Sequence, residues 1–238
     1  MKAVILQPTY LPWMGYFGLI DIADVFVFYD DVQFVGRSWF QRNRIKVSKG
    51  KWIWLTVHVI KKYKQKINEV KINNDANWSE KHWKSITFAY NKAPYFKDYV
   101  DIFKKLYEKE WKYLVDLNVT IIKEICKLLG IDHTKFIFSS SLKVEGKKTD
   151  RLINILKKIG ADEYISGPEA KVYIEPEKLK KAGIKLYWFE FNHLVYPQLY
   201  GDFIPYLSVI DLLFNVGGKS LEVIRQGEKG TLIKDPRT

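Results

Sequence analysis

The fold is decided by residues 4–31, which read VILQPTYLPWMGYFGLIDIADVFVFYDD. Val4 to Leu6 predicts a short buried strand, and Pro8 ends it because proline has no N–H for a sheet. Met14 to Ala23 has the apolar spacing of a helix, and Val25 to Phe28 is an apolar run typical of a strand covered on both faces. This order of strand, loop, helix and strand predicts a βαβ unit in a parallel sheet.

Later segments continue the alternation of strands and helices. Further strands are predicted at 136–138, 164–165 and 184–191, with helices between them, and the polar tail 228–238 is expected to be loose. We therefore expect an α/β fold with a doubly wound, mostly parallel sheet of the Rossmann-like kind, in a single domain of residues 1–238.

Two segments interrupt this alternation and are expected to be insertions within the domain. Residues 37–72 predict a basic β insertion, with a β-hairpin whose turn is Ser48-Lys49-Gly50-Lys51. Residues 77–130 predict a helical portion that Gly130 closes. Ligands of doubly wound sheets bind beyond the carboxyl ends of the strands, so the loops there are the expected rim of a site. These loops begin at Gln7, Asp30, Ser139, Ser166 and Asn192.

The net charge of +12 is unevenly distributed. Residues 37–71 hold eleven Lys or Arg and one Glu, a net charge of +10. Such a segment suits nucleic acid, a phosphorylated ligand or an anionic membrane surface, and a solvated lysine-rich surface is the plainer alternative. Residues 1–36 and 190–217 each have a net charge of −3 and are rich in aromatic residues. We expect their loops, 7–17 and 193–203, to meet and line one pocket for a cationic or hydroxyl-rich ligand.

The single cysteine, Cys126, lies in an apolar helical pattern and excludes an internal disulfide. No stretch approaches the roughly 20 apolar residues of a membrane span, and no signal-peptide pattern precedes Pro8. We expect a cytoplasmic protein.

Asp30, Asp31 and His193 are the candidate catalytic residues. Paired carboxylates after a strand hold Mg²⁺, bind an amine or act as a base, although Asp also caps turns. His193 is the candidate general base because imidazole takes up protons near neutral pH, and a structural histidine in an aromatic loop is the alternative. The other histidines do not combine with Cys or acids at metal-ligand spacing, so we propose no metal site.

Aromatic and polar residues in the same loops predict substrate binding. Tyr10, Trp13 and Tyr16 offer flat faces that stack on sugars or bases. Ser166 and Lys148, at the ends of a strand and a loop, suit a phosphate, although the chain has neither a Walker loop nor a G-x-G-x-x-G pattern. The complete predicted substrate-binding set is Gln7, Tyr10, Trp13, Tyr16, Gln33, Arg37, Arg42, Asn43, Lys148, Ser166, Gln198, Tyr200 and Asp202.

These motifs together resemble the WbqC-like protein family. The resemblance extends over nearly the whole chain. It rests on segments 5–17, 28–34, 37–44, 78–96, 146–152, 164–168 and 196–217. Members of the family occur among surface-polysaccharide genes. The resemblance therefore implies a transferase that adds an acyl or aminoacyl group, such as glycyl, to a nucleotide-linked amino sugar.

A weaker similarity links Trp13-Met14-Gly15-Tyr16 with the nucleotidylyltransferases and class I tRNA synthetases, which carry His-x-Gly-His at this place. This chain keeps Gly15 and has aromatic residues where both histidines would stand. The similarity implies a nucleotidylyltransferase-like fold, while the loss of the histidines argues against direct nucleotidyl transfer.

Three functional hypotheses follow. In the first, a transferase, His193 deprotonates the sugar amine, and Asp30 and Asp31 hold a glycyl ammonium or Mg²⁺. The phosphate-binding candidates are Arg37, Arg42 and Lys148. The second is nucleotidyl or aminoacyl-adenylate chemistry with ATP on the same sheet. The third is a non-catalytic RNA-binding protein that uses residues 37–71, and an aminoacyl-tRNA donor would unite the first hypothesis with the third.

Overall fold

The computed structural model describes residues 1–238 and contains ten strands and nine α-helices. The strands are β1 (Lys2–Leu6), β2 (Val25–Phe28), β3 (Arg42–Ser48), β4 (Lys51–Thr56), β5 (Val59–Ile60), β6 (Lys71–Ile72), β7 (Lys135–Phe138), β8 (Glu163–Ser166), β9 (Lys185–Phe189) and β10 (Leu232–Lys234). The helices are α1 (Met14–Asp21), α2 (Trp78–Tyr90), α3 (Phe96–Glu108), α4 (Leu114–Leu129), α5 (Ser139–Leu142), α6 (Lys148–Ile159), α7 (Pro176–Lys181), α8 (Val209–Val216) and α9 (Ser220–Glu228). None of these helices has the length and apolar content that crossing a membrane requires.

Six strands form the central sheet, in the spatial order β10-β9-β8-β1-β2-β7. Neighbouring strands are parallel except for β9 and β10, which are antiparallel. From β1 the chain adds β2 and β7 on one side, and then crosses back to add β8 and β9 on the other. The expected mostly parallel α/β sheet is therefore confirmed, and its winding reverses between β1 and β8.

Helices cover both faces of this sheet, because alternate residues of its strands point to opposite sides. One core contains Val4 and Phe26 together with apolar residues of α1, α4 and α8. A second core contains Ile5 and Val27 together with residues of α6 and α7. All four residues of β2 are buried, which is why its sequence is apolar throughout.

The basic segment forms the expected β-hairpin, which lies outside the central sheet. Strands β3 and β4 pair in antiparallel register, with Arg44 opposite Trp54 and Ser48 opposite Lys51 at the turn. Ile45 on β3 is fully buried, so this face of the hairpin packs against the larger core. The helices α2 to α4 follow within the predicted helical portion.

The polar tail is ordered, contrary to expectation. Strand β10 extends the sheet beside β9. Asp235 is 1% exposed, accepts the Trp188 indole N–H at 2.8 Å and pairs with Arg237 at 2.7 Å. Strand β10 has the sequence Leu-Ile-Lys and is paired on one side only, and the polar residues around this short run hid its role in the sequence.

Candidate functional site

A cleft lies beyond the carboxyl ends of β1 and β8, where the winding of the sheet reverses. It consists of a large lobe of about 860 Å³ and a small lobe of about 230 Å³. Leu6 and Gln7, from the end of β1, line both lobes, as do Gly167 and Glu169 from the loop after β8. The two lobes therefore adjoin, and we call them together the switch-point cleft. Ligands of open α/β sheets bind at such a place.

Aromatic side chains form one wall of the large lobe. The Trp13 ring stacks on His193 with centroids 5.8 Å apart, and it contacts Phe191 and Tyr206 at 5.3 and 5.4 Å. Trp13, Phe191 and Tyr206 line the lobe, whereas His193 does not. This wall offers flat apolar faces of the kind that stack on sugars and bases.

Gly15 makes room for this wall. A Cβ at position 15 would lie 2.3 Å from the Trp13 indole, so the ring can lie over the start of α1 only because residue 15 is glycine. Tyr16 also lines the large lobe, and its hydroxyl donates to the Gln7 carbonyl at 3.0 Å. Gly15 thus serves the packing of Trp13, and Tyr16 fixes the end of β1.

The two widely separated loops meet where Trp13 stacks on His193, but only loop 7–17 lines the cleft, so the expectation that loop 193–203 also lines it is wrong. Residues after the second loop hold the N-terminal loop in place. The Val209 N–H donates to the Pro12 carbonyl at 2.9 Å, and Trp13 pairs with Ser208 in an isolated β-bridge. The Asn43 amide on β3 is 2% exposed and donates to the Leu11 carbonyl at 2.6 Å. The N-terminal loop is therefore clamped between the hairpin and the start of α8.

His193 has the geometry of a residue that fixes a loop. Its Nε2 accepts the Tyr206 backbone N–H at 2.9 Å, which occupies the lone pair that a general base would use. Its Nδ1 is buried without a partner, and burial lowers the pKa of the imidazole. The general-base role expected for His193 is therefore corrected to a positioning role behind Trp13.

Arg44 brings a desolvated positive charge to the large lobe. Its guanidinium lies 5.7 Å from the Trp39 ring and 5.0 Å from the Trp52 ring, and it donates to the Tyr206 carbonyl at 3.0 Å. Its Nε is buried without a partner, and burial lowers the pKa of the guanidinium. A planar guanidinium in this setting matches the oxygens of a phosphate.

The small lobe lies among three tyrosines. Tyr29 follows β2, Tyr164 belongs to β8, and Tyr173 follows the next turn. Burial raises the pKa of all three phenols, so they stay neutral donors at physiological pH. Lys148, at the start of α6, and Ser166, at the end of β8, add an ammonium and a hydroxyl to the lining.

Two glutamates line the cleft. Glu190 follows β9 and pairs with Lys171 at 2.7 Å. Glu169 lines both lobes and forms no ion pair. Its Oε2 lies 2.8 Å from the point that a Cβ of Gly167 would occupy, so the glycine leaves room for the carboxylate. A free carboxylate where the lobes adjoin can accept a proton from a bound ligand.

Asp30 and Asp31 bind protein groups and line neither lobe. Asp30 is 3% exposed, and it accepts the Ser139 hydroxyl at 3.0 Å and the Ser140 N–H and hydroxyl at 3.0 and 2.7 Å. The Asp31 carboxylate lies nearer to the Ser139 hydroxyl, at 2.6 Å, so the two aspartates share this single proton, and Asp31 also pairs with Arg151. The expected catalytic roles are therefore corrected, because these carboxylates fasten the end of β2 to α5. No three His, Cys, Asp or Glu side chains cluster as metal ligands would.

Tyr10 belongs to the core and offers no stacking surface. It is 0% exposed, and its hydroxyl shares hydrogen bonds with His82 Nδ1 at 2.9 Å and with the Tyr107 hydroxyl at 2.5 Å. Burial raises the pKa of Tyr10 and lowers that of His82 to about 4. The expected contact between Tyr10 and a substrate is corrected accordingly.

Gln198, Tyr200 and Asp202 hold their own loop in place and line neither lobe. The buried Lys46 Nζ donates to Gln198 Oε1 at 3.3 Å and to the Asp202 carbonyl at 2.5 Å. The Tyr200 hydroxyl donates to the Ala89 carbonyl at 2.7 Å. The amide and hydroxyl groups expected to bind a ligand are thus used to shape the cleft wall.

A buried carboxylate supports the same loop. Asp211 on α8 is 0% exposed and accepts the hydroxyls of Tyr90 at 2.8 Å and Tyr196 at 3.0 Å. Burial raises the pKa of Asp211 to about 6. These hydroxyls, the Gln198 side chain and the nearby Lys46 stabilise its charge in part.

Three further predicted residues also lie outside both lobes. Gln33 is exposed and pairs with Lys66 in an isolated β-bridge. Arg37 is exposed, and the Arg42 guanidinium stacks on Trp54 at 4.2 Å. The predicted residues that do line the switch-point cleft are Gln7, Trp13, Tyr16, Asn43, Lys148 and Ser166.

Glu169, Glu190 and Arg44 are the charged lining residues that sequence reasoning missed. Glu190 directly follows β9, and Glu169 lies three residues after the end of β8, so the rule that placed Ser166 at the rim would also have found them. No comparable signal marks Arg44, because spacing along the hairpin does not tell which arginine faces the cleft.

A model of the WbqC-like protein family matches residues 7–223 of the chain. An uncharacterized protein of Mycobacterium tuberculosis (strain ATCC 25618 / H37Rv), Rv1507c, is 38% identical over 227 residues, which cover 94% of this chain and 97% of the relative. No solved structure matches.

Proposed function

The chain belongs to the WbqC-like protein family, and we propose that it is a transferase that adds an acyl or aminoacyl group to the amine of a nucleotide-linked amino sugar in surface-polysaccharide biosynthesis. The observation that carries the proposal is the two-lobed switch-point cleft, whose lobes share Gln7 and the Glu169 carboxylate. Direct transfer between two bound substrates needs two adjoining subsites and an acid–base group where they meet.

The large lobe suits the nucleotide-linked amino sugar. Its volume of about 860 Å³ lies within the range of small-molecule sites. Trp13, Trp39 and Tyr206 provide faces for the base and the sugar, and Arg44 provides a guanidinium for the phosphates. In this arrangement the sugar amine points towards Glu169.

The small lobe suits an activated acyl donor, such as an acyl phosphate or the aminoacyl ester of a charged tRNA. The amine nitrogen attacks the carbonyl carbon of the donor, so that a C–N bond forms and the bond from this carbon to the leaving group breaks. Glu169 takes the proton that the amine loses. Lys148 stabilises the negative charge that develops on the leaving group.

The strand order supports a Rossmann-like fold for this enzyme. Numbered by chain order within the central sheet, the strands run 3-2-1-4-5-6 from the β7 edge, which is the order of dinucleotide-binding sheets. A nucleotidylyltransferase-like reaction has less support at the site. Trp13 packs on His193, and the Tyr16 hydroxyl is bound to a carbonyl, so neither residue supplies the charge that a triphosphate transition state needs.

A transfer assay with nucleotide-linked amino sugars and activated acyl donors, followed by mass spectrometry, tests the proposal. We expect Glu169→Gln to lower the transfer rate roughly 10²–10⁴-fold and to leave binding of the nucleotide sugar intact. Glu222→Gln, at an exposed position on α9 outside the cleft, is the matched control. An unchanged rate in Glu169→Gln would remove this carboxylate from the chemistry, and failure to bind any nucleotide-linked amino sugar would contradict the transferase itself.

A further inference from the structure

The outer face of the β3–β4 hairpin carries a cluster of indoles and guanidiniums that we call the Trp–Arg face. Its members are Trp39, Arg42, Arg44, Trp52 and Trp54. The Trp54 ring lies 5.3 Å from the Trp39 ring and 5.5 Å from the Trp52 ring. Arg42 stacks on Trp54 at 4.2 Å, and Arg44 lies 5.0 Å from Trp52.

This face is open although it is built from large apolar rings. Trp39 is 48% exposed and Trp52 is 39% exposed, whereas Ile45, on the opposite face of the hairpin, is fully buried. The Nε groups of Arg42 and Arg44 are buried. The face therefore offers open indole surface together with the positive charge of two guanidiniums.

The chain segment that carries the Trp–Arg face is basic. No carboxylate occurs between Val32 and Asn68. Lys49 and Lys51 are exposed at the hairpin turn, and Lys61 packs beside Gly36 in the loop that leads to Trp39. Free aromatic faces within a positive field are the combination that binds single-stranded nucleic acid, because bases stack on the rings and cations meet the phosphates.

We propose that the Trp–Arg face binds single-stranded nucleic acid. Bases stack on Trp39 and Trp52, and the backbone phosphates meet Arg42 and the lysines of the hairpin turn. The proposal does not depend on the transferase assignment. Trp39 also lines the large lobe of the switch-point cleft, so the end of a bound strand would reach that lobe.

Fluorescence anisotropy of labelled oligo(U) and oligo(dT), titrated with the full chain at several salt concentrations, tests this proposal. We expect the logarithm of the affinity to fall linearly with the logarithm of the salt concentration, with a slope of about −0.7 for each phosphate contacted. Equal affinity for both probes would mean that stacking and phosphate contacts suffice, whereas tighter binding of oligo(U) would mean that the face also contacts the ribose 2′-hydroxyl. Both results support the proposal, and no binding of either probe at low salt overturns it.

Trp52→Ala should weaken binding roughly fivefold or more, the effect of losing one base–aromatic stack. Phe88→Ala, which removes a 73% exposed ring on α2, is its control and should leave the affinity unchanged. Lys49→Gln with Lys51→Gln should reduce the steepness of the salt dependence, whereas Lys157→Gln with Lys158→Gln at the end of α6 should not. Equal effects in test and control variants would overturn the assignment of the face. Trp52, Lys49 and Lys51 do not line the cleft, so their effects are separable from loss of sugar binding.

Discussion

The substitution Asp30→Ala tests whether the Asp30 carboxylate has a structural or a catalytic role. The Asp30 side chain accepts the Ser140 N–H at 3.0 Å and the Ser140 hydroxyl at 2.7 Å, shares the Ser139 hydroxyl proton with Asp31, and is 3% exposed. Hydrogen bonds to a charged group contribute about 1.5–3 kcal/mol each, and the bonds to these neighbouring groups are not additive. Because the substitution leaves both Ser140 donors without a partner, at about 1–3 kcal/mol for each unsatisfied group, we expect the free energy of unfolding to fall by about 3–5 kcal/mol.

For a chain of this size, that loss corresponds to a decrease in Tm of about 6–20 °C, which thermal and urea unfolding would measure. Asp24→Ala is the matched control, since Asp24 precedes the same strand, is exposed and accepts one hydrogen bond from the Lys2 N–H at 2.7 Å. We expect it to cost no more than about 1 kcal/mol. A loss below about 1 kcal/mol in Asp30→Ala, together with loss of ligand binding, would refute the structural role.

Three further predictions concern the cleft wall. Gly15→Ala should displace the Trp13 indole, because the new Cβ would lie 2.3 Å from the ring. We expect a calorimetric titration to show at least tenfold weaker binding of the nucleotide sugar. Unchanged affinity would contradict the role of the aromatic wall. His193→Gln, which keeps an acceptor for the Tyr206 N–H, should leave the transfer rate within a few-fold, whereas loss of a general base would cost roughly 10²–10⁴-fold. Burial raises the pKa of Asp211 to about 6 in the folded state. The Asp211 carboxyl therefore stays protonated to a higher pH in the folded state than in the unfolded chain. The unfolding free energy of the native chain relative to Asp211→Asn should therefore fall by about 2.4 kcal/mol as pH rises from about 4 to 7. A rise over that range in urea titrations would refute this sign.

The sheet was predictable because its strands are short apolar runs separated by helices of regular spacing. Val25 to Phe28 became β2 as predicted, since a strand buried on both faces accommodates four consecutive apolar residues. The winding of the sheet reverses between β1 and β8, and the cleft lies at this point because loops at the carboxyl ends of parallel strands share one edge of the sheet. The tail was mispredicted because pairing with β9, which is a tertiary contact, decides its structure.

The site was less predictable, because the direction of a side chain in a loop depends on contacts that sequence does not encode locally. Asp30 and Gln198 carry the groups expected of a binding loop, yet both are bonded to protein groups. Gln7 lies at the end of β1, where position alone places it at the cleft. Position after a strand was therefore a better guide than chemical type, and it also identifies Glu169.

A crystal structure of the chain with a bound nucleotide-linked amino sugar would show whether the switch-point cleft is the site of transfer. We expect the nucleotide to occupy the large lobe beside Trp13 and Arg44, and the sugar amine to lie within hydrogen-bond distance of Glu169, facing the small lobe. A ligand bound away from the ends of β1 and β8, or one whose amine faces away from Glu169, would contradict this expectation.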